Sequence, residues 1–100
     1  MQRNRRPSSH TLLVLQAFGK KPRAWQYGYE LSEVTQLRSG TLYPILMRLS
    51  DRGLLESRWQ PSEQPGRPPR HVYRLTASGA AFAREAVERE EGAAPSGEFA

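Results

Sequence analysis

The segment from Arg38 to Gly53 constrains the fold of this chain more than any other. Its aliphatic residues recur at spacings of three and four, the pattern of a helix with one buried face: Leu42, Ile45, Leu46 and Leu49. Pro44 has no amide N–H and is tolerated near a helix start, so the helix should begin within Ser39–Thr41, where each residue is an acceptable N-cap. Gly53 can end it in a left-handed conformation.

A second short helix is predicted directly before this one, over about residues 27–35. One face of that helix carries Tyr27, Leu31 and Val34. Only the turn Gln36–Arg38 separates the two helices, with Leu37 expected to face inward. Two short helices joined by a tight turn, the second opening with small hydroxyl residues, form a helix-turn-helix pattern.

A β-hairpin is predicted after the helix-turn-helix. Residues alternate between apolar and polar over Leu54–Gln60 and again over Arg70–Leu75. Between them, Pro61–Pro69 contains four prolines and a glycine, which rules out regular structure. The hairpin should therefore have a long, stiff tip, with Arg67 and Arg70 at or beside it.

Helices are also predicted at both ends of the domain. The first, from Ser9 to about Phe18, is apolar nearly all round and needs cover, for which a second subunit is one source. The last runs from an N-cap at Thr76 to about Glu91 and either docks on its own domain or pairs with a copy; we favour pairing. The predicted dimer-interface residues are Leu12, Leu15, Phe82, Ala83, Ala86 and Val87.

These elements predict a single domain that is mainly α with a small β-hairpin: a winged helix-turn-helix plus one C-terminal dimerisation helix. We divide it into a flexible basic arm (1–8), a winged helix domain (9–75), the dimerisation helix (76–91) and a flexible tail (92–100). The arm contains Arg3, Arg5 and Arg6, which either reach nucleic acid or form an inert extension.

Positive charge is concentrated in the first three quarters of the chain. Residues 1–75 contain 13 Lys and Arg against 5 Asp and Glu, whereas residues 76–100 contain 2 against 5. A basic body with an acidic end favours binding of a polyanion, although a basic excess that serves only solubility has the same composition.

Several classes of function are not expected. The chain has no cysteine and two histidines, His10 and His71, which are far apart, so we predict no metal site and no cofactor. Neither a nucleophile paired with a base nor a phosphate-binding glycine loop is recognisable, so the chain is not expected to be an enzyme. Without a long apolar run, we expect a cytoplasmic protein with no membrane partner.

Four blocks of sequence resemble the PadR-like family of bacterial winged-helix transcriptional regulators, in its short form. They are Y-G-Y-E-L (27–31), T-L-Y-P-I-L-M-R-L (41–49), D-R-G-L-L-E (51–56) and V-Y-R-L-T-A-S-G (72–79). The resemblance covers roughly residues 10–80 and implies a homodimeric regulator, usually a repressor, that binds a pseudo-palindromic operator in double-stranded DNA. It also implies that the third helix enters the major groove and that the wing contacts the backbone or the minor groove. Because only one short helix is predicted after the wing, we expect no extended C-terminal effector domain.

The resemblance places a DNA-binding surface at the start of the third helix and on the wing. The candidate DNA contacts at these two places and next to them are Arg38, Ser39, Gly40, Thr41, Tyr43, Arg48, Arg67 and Arg70. Ser39 and Thr41 can act as caps, as DNA contacts or as both, and Tyr43 can touch a phosphate or pack. Arg67, on its proline-rich tip, suits a narrow minor groove.

Two further questions are left open by the sequence. Trp25 is expected to plug the edge of the core, with ligand stacking or dimer contact as the alternative; together with Trp59 it could line a small-molecule effector pocket at the dimer interface. The rival to DNA binding is a winged-helix protein-interaction module, which would expose apolar groups such as Trp59 and Phe82 where a DNA reader exposes arginine.

Overall fold

The computed structural model describes residues 7–98, with side chains described for residues 7–90. This part of the chain forms four helices and three strands. In chain order they are α1 (Ser9–Gly19), β1 (Gln26–Tyr27), α2 (Gly28–Thr35), α3 (Ser39–Asp51), β2 (Leu55–Gln60), β3 (Arg70–Leu75) and α4 (Ala77–Glu98). Within this range no helix has the length and apolarity needed to cross a membrane. The arginines predicted to form a basic arm, at positions 3, 5 and 6, lie outside the described residues.

The predicted helix-turn-helix is confirmed in α2 and α3. The turn is closed by Gln36, whose φ of 64° is left-handed, and by Ser32, whose hydroxyl donates to the Leu37 carbonyl at 2.7 Å. Leu37 is buried, as expected from its place in the turn. Val34, predicted to share the buried face of α2, is instead 57% exposed, because it lies on the side of α2 that no other described element covers.

Helix α3 follows its predicted pattern closely. The four predicted core positions are all buried: Leu42, Ile45, Leu46 and Leu49. The last residue of the helix is Asp51, and Gly53, which has a φ of 77°, turns the chain away from the helix axis. There the Leu54 N–H donates to the Leu49 carbonyl and the Gly53 N–H donates to the Ser50 carbonyl, both at 2.9 Å, which is the Schellman arrangement.

The predicted hairpin forms the larger part of a three-stranded antiparallel sheet with strand order β1-β3-β2. Strands β2 and β3 pair from Leu55 opposite Leu75 to Gln60 opposite Arg70. The two residues of β1 pair with β3 and were not predicted as a strand, because two residues are too few to show an alternating pattern. The architecture is a winged helix-turn-helix followed by one long helix.

Helix α4 docks on α1 of its own chain, the one of the two arrangements considered from the sequence that we did not favour. The fully buried side chains of α1 include Val14, Leu15 and Phe18, and α4 contributes Ala83 and Ala86 to the same core. Alanine at both positions lets the two helices approach closely. The monomer therefore builds its own core from both terminal helices.

The start of α4 is anchored to the junction between α3 and β2. The Thr76 hydroxyl accepts from the Gly79 N–H at 2.9 Å, which caps the helix, and donates to the Gly53 carbonyl at 2.7 Å. The Thr76 N–H donates to the Leu54 carbonyl at 3.1 Å. A Cβ at Gly79 would overlap that same carbonyl, so the close approach requires glycine.

The C-terminal end of α4 lies later in the chain than predicted. The helix continues to Glu98, whereas the sequence suggested an end near Glu91 and a flexible tail after it. Gly92 and Pro95 favour an early end, but Ala93 and Ala94 are strong helix formers and extend a helix that is already nucleated. The last two residues of the predicted tail lie outside the described range.

Replacing Gly79 with alanine should lower the free energy of unfolding by about 1–3 kcal/mol, because the added methyl group meets a backbone carbonyl that cannot rotate away. Gly19→Ala is the matched control, since no atom lies within 4 Å of a Cβ built there; its effect should stay within about 0.5 kcal/mol. Urea unfolding followed by circular dichroism measures both. Equal effects of the two substitutions would contradict the close packing at Gly79.

Candidate nucleic-acid interface

The first turn of α3 is open to solvent. The helix starts at Ser39, within the predicted range, and its N-cap lies one residue before the predicted caps. Arg38 is the N-cap residue, and its side chain makes no capping hydrogen bond. The Thr41 and Leu42 N–H groups both donate to the Arg38 carbonyl, at 2.9 and 2.8 Å. No partner is found in residues 7–98 for the N–H groups of Ser39 and Gly40. These amides and the positive end of the helix dipole can receive an anion.

The solvent face of α3 complements its buried face. The exposed residues on the helix recur at spacings of three and four: Gly40, Tyr43, Pro44, Met47, Arg48 and Asp51. Arg38 and Ser39 are exposed just before this row, and Thr41 is half-buried. The predicted contact residues from this helix therefore lie on accessible surface. This follows from the helical period, because the core positions occupy the opposite face.

Tyr43 is fixed in place by its neighbours. A Cβ at Gly28, the first residue of α2, would overlap the Tyr43 hydroxyl, so the ring lies directly against that glycine. Gly28 directly follows Tyr27, which pairs with Val72 of β3. Burial raises the pKa of the Tyr73 hydroxyl, and the Tyr43 hydroxyl raises that pKa further. Tyr43 thus packs against the start of α2 while remaining 39% exposed, so both roles considered for it are sterically open.

The tip of the wing exposes the two predicted arginines. Arg67 follows Gly66, whose φ of 84° makes the bend, and the Arg67 N–H donates to the Gln64 carbonyl at 3.3 Å. Arg70 begins β3, and its guanidinium lies 4.7 Å from the centroid of the Tyr27 ring. Arg67 is therefore set on a turn at the tip, and Arg70, beside the tip, is held by an aromatic ring.

Sequence reasoning missed a cluster on the outer face of the sheet, the face turned away from the core. The guanidinium groups of Arg58 and Arg74 both lie 4.3 Å from the centroid of the Trp25 ring. Arg74 also forms an ion pair with Glu56 at 2.9 Å. Trp25 is half-buried beneath these arginines, so the expected role at the edge of the core is not the one observed. The sequence pattern that could have revealed this cluster is the alternation of arginines with core-facing residues in β2 and β3.

The structure divides the predicted dimer-interface residues into two groups. Leu15, Ala83 and Ala86 are buried within one chain, so a partner subunit cannot reach them unless α1 and α4 separate. The residues that keep accessible area are Leu12, Phe82 and Val87. Intramolecular docking of α4 is the reason for the difference, since the same apolar stripe faces α1 rather than a second copy.

An open groove of about 1150 Å³ runs beside α1 and α4. Its apolar lining includes Leu13 and Val87, and Lys20, Arg23 and Arg84 contribute positive charge. Neither tryptophan is among the residues that line this groove, although the sequence suggested Trp25 and Trp59 as candidate pocket residues. Leu13, which the sequence analysis did not select, is 40% exposed.

A family profile and several solved structures match this chain. The profile of the transcriptional regulator PadR-like family matches residues 14–85. The chain is similar to the crystal structure of a PadR family transcription regulator from Clostridium difficile R20291, at 26% identity and a TM-score of 0.67, over 84% of this chain and 86% of that one. No curated protein sequence matches.

Two further solved structures are similar to this chain. A PadR-like transcription factor from Bacteroides fragilis is 26% identical, with a TM-score of 0.67 over 82% of this chain and 80% of that one. The PcaV transcriptional regulator from Streptomyces coelicolor, solved in complex with its natural ligand, is 25% identical, with a TM-score of 0.71 over 92% of this chain and 61% of that one.

Replacing Gly28 with alanine should displace the Tyr43 ring and lower the free energy of unfolding by about 1–3 kcal/mol. Because Tyr43 is the group that a new methyl would meet, the same substitution should cost markedly less in a Tyr43→Ala background. A double-mutant cycle in urea measures this coupling. Additive effects of the two substitutions would show that the ring does not depend on the glycine.

Proposed function

Because the chain belongs to the PadR-like family of transcriptional regulators, we propose that it is a homodimeric repressor that binds a pseudo-palindromic operator in double-stranded DNA. The family accounts for DNA-binding regulation in general. The dimer, the repressing direction and the operator are our proposals. A bacterial regulator of transcription works where the chromosome is, so we assign the protein to the cytoplasm.

The observation that carries the proposal is the exposed, positively polarised first turn of α3. The turn offers two free backbone N–H groups, from Ser39 and Gly40, beside the exposed guanidinium of Arg38. Free amides at a helix N-terminus bind phosphate oxygens, and an arginine alongside them strengthens the attraction. In helix-turn-helix proteins this end of the second helix contacts the DNA.

We assign roles to the remaining candidates from their positions. The Thr41 hydroxyl and the exposed face of Tyr43 are near enough to the helix start to contact base edges or phosphates, and Arg48 can contact the backbone one turn later. Arg67 at the tip of the wing suits a minor groove, whose negative potential attracts arginine. Arg70, beside the tip and held over Tyr27, suits a phosphate near the wing tip.

Dimerisation is supported by apolar area that the monomer leaves uncovered on its terminal helices. Leu13 is 40% exposed on α1, and Leu12, Phe82 and Val87 are half-buried. A two-fold symmetric contact through this surface would hold two copies of α3 for successive major grooves, about 34 Å apart. Leu13 and Val87 also line the groove beside α1, which we propose as the effector site by analogy with the ligand-bound PcaV regulator.

The alternative, a winged-helix protein-interaction module, is favoured by one observation. Trp59 is 65% exposed on the wing, where such a module would present an apolar group. Phe82 does not support it, because its ring is half-buried with the Arg52 guanidinium 5.1 Å from its centroid. The two functions differ in their dependence on salt, which the following experiment measures.

Binding to duplex DNA should weaken steeply with salt, with a log–log slope near −6, because a dimer that makes about six to eight phosphate contacts releases about 0.9 counterion for each. Fluorescence anisotropy of a labelled random duplex between about 50 and 200 mM salt gives the slope. Arg67→Gln should reduce its magnitude by about 2, one contact per subunit. Arg89→Gln, an exposed arginine on α4, is the control and should leave the slope unchanged.

A slope near zero would contradict the proposal and favour the interaction module. An unchanged slope for Arg67→Gln would contradict only the proposed contact between the wing tip and DNA.

A charge placed on the proposed dimer surface should separate the subunits. We expect Leu13→Glu and Val87→Glu to reduce the mass in solution from twice 11.4 kDa to 11.4 kDa, because each buries a carboxylate in an apolar contact. Multi-angle light scattering measures the mass. Met47→Glu, at a residue 64% exposed on α3, is the control and should stay dimeric. A wild-type chain of 11.4 kDa at all concentrations would refute the dimer.

A further inference from the structure

An exposed pair of stacked rings lies on the wing, on the core side of the sheet. Trp59 of β2 is paired in register with His71 of β3, and the two rings are 4.6 Å apart and within 12° of parallel. Trp59 is 65% exposed, whereas His71 is half-buried. Leaving most of an indole in water gains little for the fold, so its surface is available for another molecule.

The stacked pair continues a row of side chains that reaches the start of α3. His71 Nδ1 lies 3.2 Å from the Tyr73 hydroxyl, and the two rings are 4.7 Å apart. Tyr73 in turn pairs with Gln26 of β1, two residues before Gly28, and the Tyr43 ring of α3 rests against Gly28. The exposed indole is therefore on the same side of the molecule as the first turn of α3, and His71 fixes its orientation.

The groups on the indole's side of the wing indicate the kind of partner. Arg58 and Arg70 belong to the opposite face of the sheet. On the indole's side, the row of side chains leads to the first turn of α3, where Arg38 and the free N–H groups of Ser39 and Gly40 are exposed, and Arg67 lies at the tip of the wing. A flat apolar ring with one N–H donor, in line with these groups, matches a nucleic-acid backbone: the ring can pack on a deoxyribose while the N–H donates to a phosphate oxygen.

We propose that the Trp59–His71 pair is a sugar–phosphate contact of the wing, on which one DNA strand beside α3 rests. The inference depends on the proposed DNA-binding function and adds to it a contact that reads no bases. Removing Trp59 should therefore weaken binding to operator and to random duplex by the same factor, whereas loss of a base contact from α3 weakens operator binding more.

The second tryptophan provides an internal control. Trp25 lies on the opposite face of the same sheet, beneath Arg58 and Arg74. Trp25→Phe leaves Trp59 as the single tryptophan reporter, and Trp59→Phe leaves Trp25. A DNA strand lying on the core side of the wing should shield Trp59 from solvent and leave the solvent exposure of Trp25 unchanged.

The test is acrylamide quenching of each single-tryptophan protein with and without a random-sequence duplex at low salt, with binding followed by anisotropy of the labelled duplex. In Trp25→Phe, DNA should reduce the quenching of Trp59. In Trp59→Phe, DNA should leave the quenching of Trp25 unchanged. Trp59→Ala should lower the affinity for random duplex about tenfold. If Trp59→Ala folds poorly, the quenching measured in Trp25→Phe still tests the inference, because that protein keeps the native Trp59.

Duplex binding without protection of Trp59 would overturn this inference while leaving the proposed function intact. Protection of Trp59 that depends on protein concentration and not on DNA would also overturn it, since the indole would then belong to an interface between proteins. A wild-type chain that does not bind duplex DNA at low salt would overturn both the inference and the proposed function.

Discussion

The junction at Gly53 and Leu54 is the constraint on which the rest of the structure depends. Gly53 ends α3 in a left-handed conformation, and the Leu54 N–H completes that end by bonding to Leu49. The carbonyls of the same two residues receive the hydroxyl and the N–H of Thr76, which starts α4. One corner of the backbone therefore fixes the recognition helix, the first strand of the wing and the C-terminal helix relative to one another.

The opposite end of α3 is held by side chains. Tyr43 rests against Gly28, so the first turn of α3 is positioned by the start of α2. Because Gly28 directly follows β1, and Tyr73 both pairs with β1 and contacts His71, the exposed part of the wing is connected to that turn through β1 and β3. A surface assembled in this way is organised before it meets DNA, which reduces the entropy lost on binding.

Most of the helices and the hairpin could be predicted, because their signals are local. The spacing of Leu42 and Leu46, the proline-rich tip and the left-handed Gly53 each depend on a few neighbouring residues. The misses were non-local or too short: two residues of β1 show no period, and the position of α4 depended on a contact with α1. For the candidate site, the first turn of α3 and the wing arginines are accessible as predicted, but their contacts with DNA are still predictions.

The sequence by itself determined which faces of the helices are apolar, where the helix-turn-helix and the hairpin lie, and which basic residues have no place in the core. Only the tertiary structure decided what covers those faces. Leu15, Ala83 and Ala86 have the pattern of an interface, and a pattern cannot distinguish a partner subunit from another helix of the same chain. The stacking of Trp59 on His71 and of arginines around Trp25 likewise depends on strand register, because residues distant in sequence become neighbours only when the strands pair.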